Sequence, residues 1–183
     1  MQESDRLMES FLKSVEKRAF RMARIATGNT EDALDIVQDA MFRFVDRYGR
    51  RSEREWKPLF YRILQNKIRD WYRRKAVRSR ILGWLGRGKE GQEENGADPL
   101  EGIADLDCPG PQQTAEAADD LKAVEAALRD LPLRQQQAFL LRAWDEMSVS
   151  ETSRIMKCSE GSVKTHYARA VRSLRDKLED RWP

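Results

Sequence analysis

The sequence predicts an all-α fold: two small helical domains joined by a flexible linker. Three observations lead there. Apolar residues recur at helical spacing over most of the 183 residues, and no alternating run of useful length suggests a strand. Helix caps and stops fall where these stripes begin and end. One internal stretch crowded with glycine, proline and acids breaks the periodicity. The expected ranges are 1–82 for the first domain, 83–113 for the linker and 114–183 for the second domain.

In the first domain, Phe11, Val15, Ala19, Met22, Ala23 and Ala26 form one stripe, ended by Gly28. Asn29 or Thr30 can cap the next helix, with Glu31 and Asp32 favourable at its positive end. Its apolar face is expected to carry Leu34, Val37, Met41, Phe44, Val45 and Tyr48. A polar stretch, residues 49–55, leads to a third helix expected to begin near Trp56, with Pro58 in its first turn. Trp56, Leu59, Phe60, Ile63, Leu64, Ile68 and Trp71 are its stripe, and Ile81, Leu82, Trp84 and Leu85 can extend it.

The linker reading follows from composition. Seven glycines and three prolines lie between Gly83 and Pro111 among many acids, too little apolar surface to offset chain entropy. In the second domain, Leu121, Val124 and Leu128 stripe a helix stopped by Pro132, and a second helix covers about Arg134 to Trp144. Ser148 and Glu151 have the spacing of a capping box opening a short helix through Ile155 and Met156. A tight turn at Lys157 to Glu160, with Gly161 as turn former and Ser162 beside it, starts the last helix.

Charge is distributed more tellingly than its net of +3. Arg62, Lys67, Arg69, Arg73, Arg74, Lys75, Arg78 and Arg80 face the single acid Asp70, and an acidic block from Glu90 to Asp120 follows. Such asymmetry is expected of a chain that meets a polyanion. Cys108 and Cys158 are too few for a disulfide framework and suit a reducing compartment. One histidine, no metal-ligand spacing and no phosphate-cradling glycine loop argue against an enzyme, a metal, a cofactor or a small-molecule substrate. There is no signal-peptide pattern and no run of about 18 apolar residues, so a cytoplasmic protein without membrane insertion is expected.

A short capped helix, a tight turn and a longer helix with basic and polar residues at its start form a helix-turn-helix pattern, whose second helix reads base edges in the major groove. Ser162, Thr165, His166 and Arg169 lie opposite the stripe of Val163, Tyr167, Ala170, Val171, Leu174 and Leu178, with Lys164 at the flank. The motif alone also fits a transcriptional regulator that does not use polymerase. A helical adaptor that binds a protein rather than DNA is the third reading.

The segment LPLRQQQAFLLRAWDEMSVSETSRIMKCSEGSVKTHYARAVRSLRDKL, Leu131 to Leu178, resembles region 4 of the extracytoplasmic-function (ECF) group of sigma-70-type RNA polymerase sigma factors. DALDIVQDAMFRFV, Asp32 to Val45, resembles region 2.2, and YRILQNKIRDWYRR, Tyr61 to Arg74, resembles regions 2.3 and 2.4. His166 stands where the family often has Arg, and Thr152 and Ser153 replace a more usual Ile-Ala pair. The resemblance implies a subunit that joins core RNA polymerase, recognises the −35 and −10 elements of promoter DNA and promotes melting for a stress- or signal-responsive gene set. It also implies an anti-sigma factor as a partner. By the same resemblance Asp35, Gln38 and Asp39 bind polymerase, and Asn66 serves the pocket for a flipped-out −10 base. Arg62, Lys67, Arg69, Arg73 and Arg74 hold phosphates, and Tyr72 stacks on bases. Ser162, Lys164, Thr165, His166 and Arg169 meet the −35 element.

Overall fold

The computed structural model describes residues 2–49, 51–84 and 115–179. All secondary structure there is helical: α1 (Gln2–Thr27), α2 (Thr30–Tyr48), α3 (Glu53–Trp84), α4 (Ala115–Arg129), α5 (Leu133–Phe139), a π-helical turn (Leu140–Trp144), α6 (Val149–Met156) and α7 (Glu160–Leu178). Most of the expected linker, Leu85 and Cys108 included, lies outside the described residues. The backbone of α3 runs to Trp84, past the expected boundary at 82.

α1 ends where Gly28 adopts φ of +71°, a left-handed conformation that L side chains rarely take, and its N–H bonds Arg24 O at 2.8 Å. Asn29 then caps α2: its side chain accepts from the Asp32 N–H at 3.0 Å. The buried face of α2 differs from the expected stripe. Ala33, Ile36, Val37, Ala40 and Phe44 are buried, whereas Leu34 and Val45 are 40% and 45% exposed. Two alanines let α1 and α2 approach closely, and a pattern drawn through the bulkier residues misses them. α3 also begins earlier than expected, at Glu53, so Pro58 is an interior residue rather than a first-turn one.

The first core is aromatic. Phe11 meets Phe44 and Trp56 at ring-centroid distances of 5.4 and 5.5 Å, and Phe60 stands edge-on to Phe44 at 5.8 Å. Leu64 and Ile68 of α3 and Met22 of α1 complete it, all essentially without exposure. The second core gathers Leu128, Leu131, Ala138, Leu140, Leu141, Met147, Ile155, Met156, Val163, Ala170 and Leu174.

The two domains pack together. α1 contacts α4 and α3 contacts α6. Arg24 pairs with Glu125 at 3.3 Å. The centre of the junction is Asp145, directly after the π-helical turn, with a side chain that has no exposed surface. Tyr61 Oη donates to its Oδ1 at 2.7 Å, Arg18 lies 3.6 Å from the same oxygen, and Lys57 Nζ donates to its backbone carbonyl at 2.9 Å. A hydrogen bond to a charged group contributes about 1.5–3 kcal/mol net, but removing a carboxylate from water takes back several kcal/mol. Asp145 Oδ2 has no hydrogen-bond partner. Burial accordingly raises the Asp145 carboxyl above its ordinary range, against the opposing pull of Tyr61, Lys57 and Arg18, and burial beside this carboxylate pushes the Tyr61 hydroxyl up as well.

Candidate nucleic-acid interface

The helix-turn-helix is assembled from local signals. Ser148 accepts from the Glu151 N–H at 3.1 Å while the Glu151 carboxylate accepts from the Ser148 N–H at 2.8 Å, so the capping box is complete. α6 ends at Lys157, whose φ of +54° turns the chain. α7 starts one step earlier than Gly161 suggested: Ser159 is the cap, accepting from the Ser162 N–H at 3.1 Å, and Gly161 lies inside the first turn. Arg134 of α5 donates to Met156 O at 2.8 Å, tying the carboxyl end of α6 to the helix behind it. Behind α7, Phe139 stacks on Tyr167 at 6.1 Å, and Lys177 pairs with Asp130 at 2.7 Å.

The buried stripe of α7 is Val163, Ala170 and Leu174, and Lys164, Thr165 and Arg169 are exposed on the other side. Ser162 is drawn into the cap, its hydroxyl 2.9 Å from that of Ser159, and Thr165 donates to Gly161 O at 3.0 Å. His166 is half-buried. Burial, then the cations Arg134 and Arg169, push its imidazole below the usual value, which favours the neutral ring with one donor and one acceptor.

On α3 the expected DNA-facing residues divide into two groups. Arg73 and Arg74 are exposed, Arg73 lying 3.9 Å from Asp70. The others are engaged. Arg62 donates to Tyr48 Oη at 2.9 Å, Arg69 donates to the Asn66 side-chain oxygen, and Tyr72 Oη donates to Ala26 O at 2.7 Å. Arg69 is held below the usual guanidinium range by burial and then by Arg134 of the other domain. The charge of Arg134 thus bears on both Arg69 of α3 and His166 of α7. Trp71 is half-buried against the core, with Lys75 over its ring at 4.8 Å.

Asp35, Gln38 and Asp39 are exposed together on α2. Asp39 pairs with Arg43 at 3.4 Å and with Lys67 of α3, and the Lys67 hydrogen bond is the main cause holding its carboxyl below the ordinary range. One expected polymerase contact and one expected phosphate contact are therefore each other's partners. Phe42, 76% exposed beside these residues, was not singled out from the sequence although its position off the helical stripe was readable. Tyr61, Lys57, Arg18 and Asp145 were also missed, because their relation is tertiary. Among the described residues, no cluster of His, Cys, Asp or Glu is placed to hold a metal ion, and no helix is long and apolar enough to cross a membrane.

Comparison with known proteins agrees with this architecture. The Sigma-70 region 2 family model matches residues 7–78 and the Sigma-70, region 4 model matches residues 121–174. The chain is 30% identical over 151 residues to the RNA polymerase sigma-E factor of Streptomyces antibioticus, covering 82% of this chain and 72% of that protein. It is 27% identical over 150 residues to the ECF RNA polymerase sigma factor SigX of Bacillus subtilis, covering 79% and 70%. In fold it is similar to the sigma factor RpoE solved with the anti-sigma factor NepR from Bartonella quintana, with a TM-score of 0.63, 20% identity and coverage of 93% and 98%. It is likewise similar to CnrH solved with the cytosolic domain of CnrY, with a TM-score of 0.60, 20% identity and coverage of 97% and 90%. The chain belongs to the ECF group of sigma-70-type RNA polymerase sigma factors. It is a transcription initiation factor rather than an enzyme in the usual sense.

Proposed function

We propose that the protein binds core RNA polymerase through the exposed face of α2, reads the −35 element with the start of α7 and opens DNA at the −10 element with α3. The observation that carries this reading is the exposure of Lys164, Thr165 and Arg169 at the first turns of a capped, rigidly seated helix. Short polar side chains and a guanidinium at that end suit base edges and phosphates together. Arg73 and Arg74 hold phosphate near the −10 element. Arg62, Lys67 and Arg69 join them once their present partners are exchanged, and the Asn66 amide offers a base both a donor and an acceptor. Asp35, Gln38 and Asp39 supply a polar, acidic face for polymerase. An anti-sigma factor is a further proposed partner, since the similar RpoE structure is of a sigma factor in complex with the anti-sigma factor NepR.

Run-off transcription with purified core polymerase on genomic fragments tests the reading. Discrete transcripts that require the protein are expected. Transcription no different from core alone refutes it.

A further inference from the structure

We propose that Asp39 of α2 couples polymerase binding to promoter binding, an inference that rests on the proposed reading of α2 as the polymerase face and α3 as the −10 face. In the free chain Asp39 holds Lys67 of α3. A basic or N–H group of polymerase that takes Asp39 releases Lys67 to a promoter phosphate. Each partner then tightens the binding of the other.

The two ends of the pair face solvent unequally. The Asp39 side chain is 50% exposed and the Lys67 side chain 14%. A polymerase group therefore reaches the carboxylate directly, whereas a phosphate cannot reach the ammonium until it swings away from Asp39. Both carboxylate oxygens are already engaged, Oδ1 by Arg43 at 3.4 Å and Oδ2 by Lys67. A third cation brought to the same carboxylate repels the two in place. Lys67 can leave by rotating its own four-carbon stem. No shift of α2 is needed, since Ala33, Ile36, Val37, Ala40 and Phe44 keep that helix seated. The contact is a charged one, with Lys67 the first cause of the lowered Asp39 carboxyl.

The same seam holds a second cation. Arg62 donates to Tyr48 Oη at 2.9 Å, and its guanidinium lies 6.0 Å from the centroid of that ring. α2 thus retains two of the proposed phosphate contacts of α3, while Arg73 and Arg74, about two turns beyond Lys67, are exposed. The partner of Arg62 is a neutral hydroxyl outside the proposed polymerase face, so Arg62 does not share in the exchange at Asp39.

An ion pair this accessible shifts an equilibrium by up to about fivefold. Coupling between two binding sites is reciprocal, so the same factor appears whichever partner is measured.

The test measures the affinity of the full chain for purified core polymerase and for a fluorescent oligo(dT) strand, with circular dichroism to confirm folding. Lys67→Met leaves Asp39 free and should bind core polymerase about threefold more tightly. Arg62→Met removes a cation that Asp39 does not hold and should give no such gain. Asp39→Asn should raise oligo(dT) affinity about threefold, whereas Asp35→Asn, which removes the same charge from the same face, should not. In the Lys67→Met background the gain from Asp39→Asn should vanish. Core affinity of Lys67→Met at or below the wild-type value overturns the coupling. So does an Asp39→Asn variant with no gain, or with a gain that persists without Lys67 or is matched by Asp35→Asn, since that is general repulsion of DNA by an acid. Wild-type run-off separates the two ideas: protein-dependent transcripts without the coupled gains remove the coupling alone, whereas no transcripts remove the reading on which it rests.

Discussion

Three side chains at the start of α7 are asked to do different work, and each has its own signature. Lys164 is a flexible point charge on the flank, so Lys164→Ala should weaken all promoters alike and reduce the salt slope by roughly one unit. Arg169, opposite the buried stripe, has a planar fork suited to a base edge. Arg169→Ala should cost about 1–3 kcal/mol and relax preference at one or two −35 positions. Because burial and two cations hold the His166 imidazole down, any inflection in its reading should fall at lower pH than an ordinary imidazole gives; His166→Arg should shift −35 preference rather than abolish activity. Transcription from a library randomised across the −35 element, repeated at two pH values, checks all three. Equal loss on every sequence for all variants would show that this helix is not the reader. The cap behind them is a separate matter of stability. Ser148→Ala should destabilise the second domain by about 1 kcal/mol, read in chemical denaturation, because the Glu151 N–H loses its side-chain acceptor while the backbone N–H of position 148 still donates to the Glu151 carboxylate.

At the scale of the element, α2 carries the polymerase hypothesis. Asp35→Arg with Asp39→Arg should abolish co-purification with core polymerase while leaving helix content unchanged, because both side chains lie outside the buried line of Ala33, Ile36, Val37, Ala40 and Phe44. Normal holoenzyme formation by a folded double variant contradicts it. Asp39→Arg also removes the partner of Lys67, so the single Asp35→Arg variant separates polymerase contact from that ion pair. Helices such as these were largely legible in the sequence, since caps and spacing are local: the Ser148–Glu151 box and the stop at Gly28 need only neighbours within one turn. The inner face of α2 was not, because its contacts depend on two alanines whose smallness matters only against α1. Nor was the early start of α3, where Pro58 sits within the helix. For the interface, side-chain types and their helix faces were readable, but the engagement of Asn66 with Arg69 and of Lys67 with Asp39 depends on rotamers and on the packing of α2 against α3.

For the whole molecule, Tyr61 and Asp145 are separated by 84 positions, and nothing in either one's surroundings in the sequence announces the other. Their contact gives the stability of the fold a pH dependence with a definite sign. The Asp145 carboxyl is raised in the folded chain and ordinary once unfolded, so the folded chain holds its proton more tightly. The groups facing it are the Tyr61 hydroxyl, which burial pushes up, and the side chains of Arg18 and Lys57. The contribution of Asp145 to stability should therefore grow as pH falls through the raised value towards about 3.9, and this gain is lost as pH rises above the raised value. Chemical denaturation of the wild type and of Asp145→Asn at pH 7 and pH 4 measures it as the difference between the two; a wild type that loses more stability than Asp145→Asn on acidification argues the reverse. The π-helical turn places a further demand on the chain, one of length rather than chemistry. Leu140–Trp144 winds more residues into its hydrogen-bonded ring than an α-turn does. Removing one lets the segment rewind as α-helix and rotates everything after it by about 100°. Asp145 then leaves Tyr61, and Met147, 3% exposed in the second core, leaves its seat in the same motion. The exposed Ala143 should thus accept Ser with a change within about 0.5 kcal/mol, whereas its deletion should lower the melting temperature sharply. At this point in the chain the count of residues is a stricter specification than their identity.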